Sequence, residues 1–166
     1  MAGIYGIDPI LDFTYQNPTP IIKVEKTFPE DSIMYYIEKN HPKYAFIVKK
    51  ADLAGQFADL QFRGTVFIPK EESLNENMVM NLDQNTARTI VKYHLMIGFF
   101  PKAVLTASAY QKLQPAIKSE IITAALYRMH DGNVTTVFND ETHVIHYDIQ
   151  LKNGYIHILD KMMQIL

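Results

Sequence analysis

There is no cysteine among the 166 residues. That excludes disulfides, thiolate nucleophiles and cysteine metal sites together, and it fits a reducing compartment. Basic clusters are missing too. The 16 Lys and Arg are scattered, the longest runs are pairs such as Lys49-Lys50, and the formal net charge is -2. Nucleic-acid binding needs a clustered basic footprint, so that class is set aside. No stretch approaches the roughly 20 apolar residues that span a bilayer. The first residues have no basic n-region, and Asp8, Pro9 and Asp12 interrupt their apolar run. No secretory signal is read there. With Met at the start, cytoplasmic synthesis of an intact product is expected. The seven glycines are isolated from one another, which leaves no phosphate-cradling loop. Ser108 and Ser119 lack the Gly-x-Ser-x-Gly context of a nucleophile elbow. The acid pairs Glu71-Glu72 and Asp140-Glu141 sit beside helix-start and turn signals, where they serve as caps. No catalytic residues are assigned.

What is present suits one globular domain with an additional arm. Hydrophobic residues make up 48% and charged residues 20%, enough to bury a core without metal or disulfide staples. Residues 1–27 differ from the rest. Pro9, Pro18 and Pro20 forbid a continuous helix. Yet Ile4, Tyr5, Ile7, Ile10, Leu11, Phe13 and Tyr15 are too many apolar groups for a solvated tail. The segment reads as an extended arm that lies on its own domain or on a neighbouring subunit, and these seven residues are its candidate protein contacts.

Thr27 and Glu30 have capping-box spacing and open a helix that Pro42 ends. A second helical stretch over 43–62 offers Phe46, Leu53, Phe57 and Leu60 as inward residues, with Gly55 as a break. Thr65 to Ile68 is a short strand stopped by Pro69. A weak helix covers 71–82. Asp83 caps a firmer one whose stripe is Ala87, Ile90, Val91, His94 and Leu95, with Gly98 beyond. A short helix is expected around Thr106 to Leu113. From Ile117 the pattern turns to strands: 120–129, 134–138, 143–149 and 155–163, separated by turn signals. Their closeness in sequence favours antiparallel pairing. Helices first and strands second give an α+β class. "MVM" (78–80) and "KMM" (161–163) read as core filler.

Three stretches in order resemble the fasciclin family. "GTVFIPKEESL" (64–74) is similar to its first signature, carried by Thr65, Phe67 and Pro69. "IVKYHLMIG" (90–98) resembles its central helix, with Tyr93-His94 at the family's Tyr-His pair. "DIQLKNGYIHILDKMM" (148–163) resembles the closing signature, with Asp148-Ile149, Asn153-Gly154, His157 and Asp160. The resemblance covers roughly 28–166. It implies a helical layer packed on an antiparallel-rich β-sheet wedge and a role in adhesion or protein–protein contact, without a catalytic centre. It implies protein contacts at Tyr93, His94, Asp148 and Ile149. Asp52 stands where the family usually ends a helix with Gly, Lys70 follows the signature proline, and "HYDIQ" (146–150) lacks the Glu-Pro-Asp-Ile-Met form.

The histidines carry the remaining chemistry. His143 and His146 are three apart, which on a regular strand puts them on opposite faces. No metal site and no cofactor is assigned. His94, on the helix stripe, reads as a hydrogen-bonded core histidine, and with His157 it is expected to hold the central helix against the closing strand. Ile156 and Ile158 face one side of that strand and Tyr155, His157 and Leu159 the other, so it is an interior strand. The expected function is a non-catalytic interaction module, a structural component of a larger assembly such as a minor capsid protein within a large-DNA-virus virion. Its partners are other proteins, such as neighbouring subunits. A cell-surface or matrix adhesion protein, and a small-ligand or metal-binding protein using the histidines, are the alternatives.

Overall fold

The computed structural model describes residues 27–165. The apolar arm, from Ile4 to Tyr15 and on to residue 26, lies outside them. Ser32 rather than Thr27 caps the first helix, α1 (Ile33–Asn40), its hydroxyl accepting from the Tyr35 amide. The Thr27–Glu30 capping box therefore does not form. Pro42 ends α1 and also opens α2 (Pro42–Lys50), since its missing N–H is one a helix start leaves free anyway. The break before α3 (Ala54–Ala58) falls at Asp52, φ +62°, and not at Gly55. A left-handed backbone here explains why relatives would favour Gly, and why Asp is tolerated. Phe46 is 37% exposed, so α2 instead buries Tyr44, Ala45, Ile47 and Val48. Leu60 is only half-buried.

Strand β1 (Gly64–Pro69) is buried throughout. Helix α4 (Glu76–Met80) buries only Val79, so Met78 and Met80 are surface residues and not filler. Asp83 caps α5 (Gln84–Tyr93) through the Thr86 amide. Then come β2 (Leu95–Ile97) and α6 (Lys102–Leu105). The helix expected at Thr106 to Leu113 is instead strand β3 (Tyr110–Leu113), paired with β4 (Ile122–Arg128). Strands β5 (Val134–Phe138), β6 (Thr142–Leu151) and β7 (Gly154–Leu159) follow.

One seven-stranded sheet results, in the order β2-β1-β7-β6-β5-β4-β3. All neighbours are antiparallel except β1 and β7, which run parallel in register from Gly64↔Gly154 to Pro69↔Leu159. The first signature and the closing signature are thus adjacent strands, second and third from the β2 edge. Alternation along them feeds two cores. Val66, Ile68, Ile156 and Ile158 join α1, α2, α3 and α5 in the first. Phe67 and Leu159 join Tyr93, Met96, Ile122 and Phe138 in the second. Both faces of these two strands are covered, as the near-continuous apolar run of β7 requires.

At the start of β7 a side chain on Gly154 would meet the Gly64 carbonyl oxygen at 1.8 Å, so only glycine allows this approach. Asn153 beside it is fully buried. Its Oδ1 accepts from the Ile33 amide (2.9 Å), and its Nδ2 donates to the Phe57 and Asp59 carbonyls (2.9 and 3.0 Å). One side chain thereby closes the start of α1 and the end of α3 onto the sheet.

Candidate functional site

The histidines of the central signatures lie between the two cores and the loop that follows β2. His157 is buried on β7. Its Nδ1 accepts from the Asp148 amide (3.1 Å), so its Nε2 carries the proton and donates to the Phe100 carbonyl (2.8 Å). The Asp148 amide reaches it because β6 bulges there, with φ +62° at Asp148 and a register shift between His146 and Ile149. The Asp148 carboxylate accepts from the Lys102 amide (2.8 Å), and the Thr65 hydroxyl donates to the Gly98 carbonyl and accepts from the Phe100 amide (both 2.9 Å). Loop 98–102 is thus pinned from β1, β6 and β7.

His94 ends α5, fully buried. Its Nε2 accepts from the Met163 amide (2.9 Å), so its Nδ1 is the protonated nitrogen and donates to the Ile90 carbonyl (2.8 Å). The two imidazoles are neutral and of opposite tautomer. Burial lowers both pKa values, that of His94 to about 4. At His157 the Phe100 carbonyl and the Asp148 charge partly oppose that lowering. Protonation would place an N–H against the Met163 or Asp148 amide. These rings are acceptors for backbone donors, and both nitrogens of each are already engaged.

A fasciclin domain model matches residues 39–165, most of the chain. The chain belongs to the fasciclin domain family. Among solved structures it is similar to a fasciclin domain pair from the insect cell adhesion molecule Fasciclin I, with 16% identity and a TM-score of 0.68 over 82% of this chain. It spans about half (51%) of that pair. A search among curated proteins found no match.

Within this fasciclin domain the Tyr-His pair faces inward. Tyr93 is 1% exposed, its ring edge-on to His94 at 5.9 Å, and its hydroxyl accepts from the Asn139 amide nitrogen at 2.8 Å. The side chains of Tyr93 and His94 are therefore not on the surface. Asp148 is exposed and Ile149 half-buried. Ile149 lines a groove of about 830 Å³ with Tyr36, His41, Glu71, Glu72 and His146. Asp160 holds the His143 amide (3.0 Å). The odd-spacing argument for His143 and His146 fails. The register shift between Val144 and His146 adds a residue, so pairing of Val144 with Leu159 and of His146 with Ile158 sets both histidines on the Ile158 face. Among the described residues, no group of three His, Cys, Asp or Glu is placed to hold a metal. No described helix is long and apolar enough to cross a membrane.

Composition alone did not reveal the exposed apolar residues of the sheet edges. Ile97, Phe99 and Tyr110 are 58%, 48% and 54% exposed. The signal available was position: Ile97 and Phe99 flank Gly98, where the chain turns at φ +110°.

Proposed function

We propose that this fasciclin domain is a non-catalytic protein-interaction module, working as a structural component of a larger assembly. Family membership suggests adhesion or protein contact. The observation that carries the reading further is how the chemistry-bearing side chains are spent. His94, His157, Asn153, Asp148 and Asp160 are all bonded to backbone groups of their own fold. At the surface remain exposed apolar residues, Ile97, Phe99 and Tyr110 among them, which are candidate contact area, and the groove that holds His41 and His146. The apolar residues from Ile4 to Tyr15 add a sequence whose composition suits a neighbour's groove or sheet edge. A minor capsid protein is the concrete form of this proposal, and cytoplasmic synthesis with incorporation in a particle is its location.

Photo-cross-linking from Tyr5 and Phe13 of the intact chain in its native source tests it. Specific cross-links to protein neighbours, and recovery of the chain with an assembled particle, are expected. Recovery as a free protein carrying a stoichiometric metal or small ligand, with no protein cross-link, would contradict it.

A further inference from the structure

The sheet has two edges, and the β2 edge opens on a preformed cleft. Only three residues, Leu95 to Ile97, form the strand, and β1 pairs with its inner side. On its outer side the Ala116 amide covers the Leu95 carbonyl at 2.7 Å, while Ile97 is left 58% exposed. A groove of about 520 Å³ follows, lined by Ile97, Phe100, Gln114, Pro115, Ala116 and Lys118. Its walls are fixed. The Gln114 amide nitrogen reaches the Pro115, Ile117 and Glu120 carbonyls at 3.0–3.1 Å, and Thr65 and His157 hold Phe100 from behind. Lys118 is the charged residue of its lining, and Arg63 lies outside that lining, over the Phe99 ring at 5.8 Å.

An apolar cleft with a lysine at its rim, continuous with a sheet edge, fits a segment that is apolar and acidic. The chain's own sequence supplies that composition. Residues 1–22 carry Asp8 and Asp12 among Ile7, Ile10, Leu11 and Phe13, and no Lys or Arg. We infer that residues 4–15 of a second copy of this chain seat in the cleft between Ile97 and Lys118, joining copies by arm exchange. This rests on the reading of the chain as an assembly component. The start of α1, six residues beyond Thr27, lies at the same end of the sheet. The Ile33 amide is held by Asn153, next to Gly154, and Gly154, Gly64 and Ile97 stand in register across three strands. Ile97 is therefore about 10 Å from Gly154. From Tyr15 to Thr27 the extended chain spans up to about 40 Å. That reach takes in the home cleft and, in an assembly, a neighbour's, and the cross-linking below distinguishes them.

The test uses the intact chain and its charge-reversed variants. Sedimentation over a concentration series should show self-association. Lys118→Glu alone, and Asp8→Lys with Asp12→Lys, should each weaken it about tenfold, and combining them should restore most of the loss. Ile97→Asp should abolish it. A photo-cross-linker at Phe13, in a mixture of isotopically light and heavy copies, should join light arms to heavy clefts. Cross-links confined to one copy would overturn the inference, as would association indifferent to the swaps. Cross-links from the arm to a different protein would overturn arm exchange while leaving the interaction-module reading standing.

Discussion

The two faces of the central sheet are held in different ways. The helical face is almost purely apolar, with Ile33, Ile37, Ile47, Phe57, Ile156 and Ile158 in contact. One amide side chain, Asn153, fastens it to the sheet, and two buried polar atoms on this side, the Tyr44 hydroxyl and Nδ1 of His41, have no hydrogen-bond partner among the described residues. The opposite face carries a polar network. His94, His157, Tyr93, Tyr147 and Thr136 are all bonded, the last two to each other at 2.7 Å. The difference teaches where pH can act. On the helical face a titrating group sits at the margin, half-buried His41 between α1 and α2, whose pKa burial lowers against the pull of Glu71 and Glu72, whereas the opposite core is closed by fully buried imidazole acceptors.

Asn153→Ala attacks the helical face and has the largest expected effect. It strands the Ile33 amide and the Phe57 and Asp59 carbonyls. Denaturant unfolding should show a loss of about 4 kcal/mol, equal at pH 8 and pH 5. A loss that varied with pH would break the contrast between the faces.

The polar face should set the pH profile. His94 is neutral when folded and titrates at about 4, against an ordinary value of 6.5. Between those values the unfolded chain binds more protons than the folded one, so stability falls as pH drops. Its contribution is complete above about pH 6.5 and is lost towards about pH 4, on the order of 3 kcal/mol in all. His157 adds in the same direction, because burial lowers its pKa as well. His94→Gln should be less stable at pH 8 yet lose less between pH 7 and pH 4.5, measured as the change in urea midpoint. A variant that parallels the unsubstituted protein across that range would show that His94 is not the sensor.

The smallest effect sharpens the comparison from the other side. Tyr44→Phe removes a fully buried hydroxyl without a described partner, whose ionisation burial opposes. Thermal unfolding should show a gain of about 1 kcal/mol, independent of pH from 5 to 8. A loss would reveal a partner for that hydroxyl.

The sequence made the local features readable. Asp83 as a cap, the α5 stripe, the turns between β4 and β7 and the alternation of β7 all follow from neighbours in the chain. Nonlocal features were hidden. Tyr110 to Leu113 is a strand only because Ile122 to Ala125 lies beside it. Asn153 looked like a turn residue, since its partner amide at Ile33 is 120 positions away. The two register shifts in β6 cannot be seen in a period-2 pattern, and they decide both the face of His146 and the aim of the Asp148 amide. For the candidate site, the family signatures pointed to the right strands but not to which side chains stay at the surface. Burial of Tyr93 beside exposure of Ile97 and Phe99 is a property of the folded sheet edge.

The signature histidines are neutral scaffold acceptors, which leaves function to the surface. Nitrogen-15 NMR of the imidazole rings in the intact chain, titrated from pH 8 to pH 4, tests it most directly. His94 should carry its proton on Nδ1 and His157 on Nε2, with His157 titrating below the ordinary histidine value and His94 charging only near pH 4. Reversed tautomers, or either ring charged at pH 6.5, would contradict it.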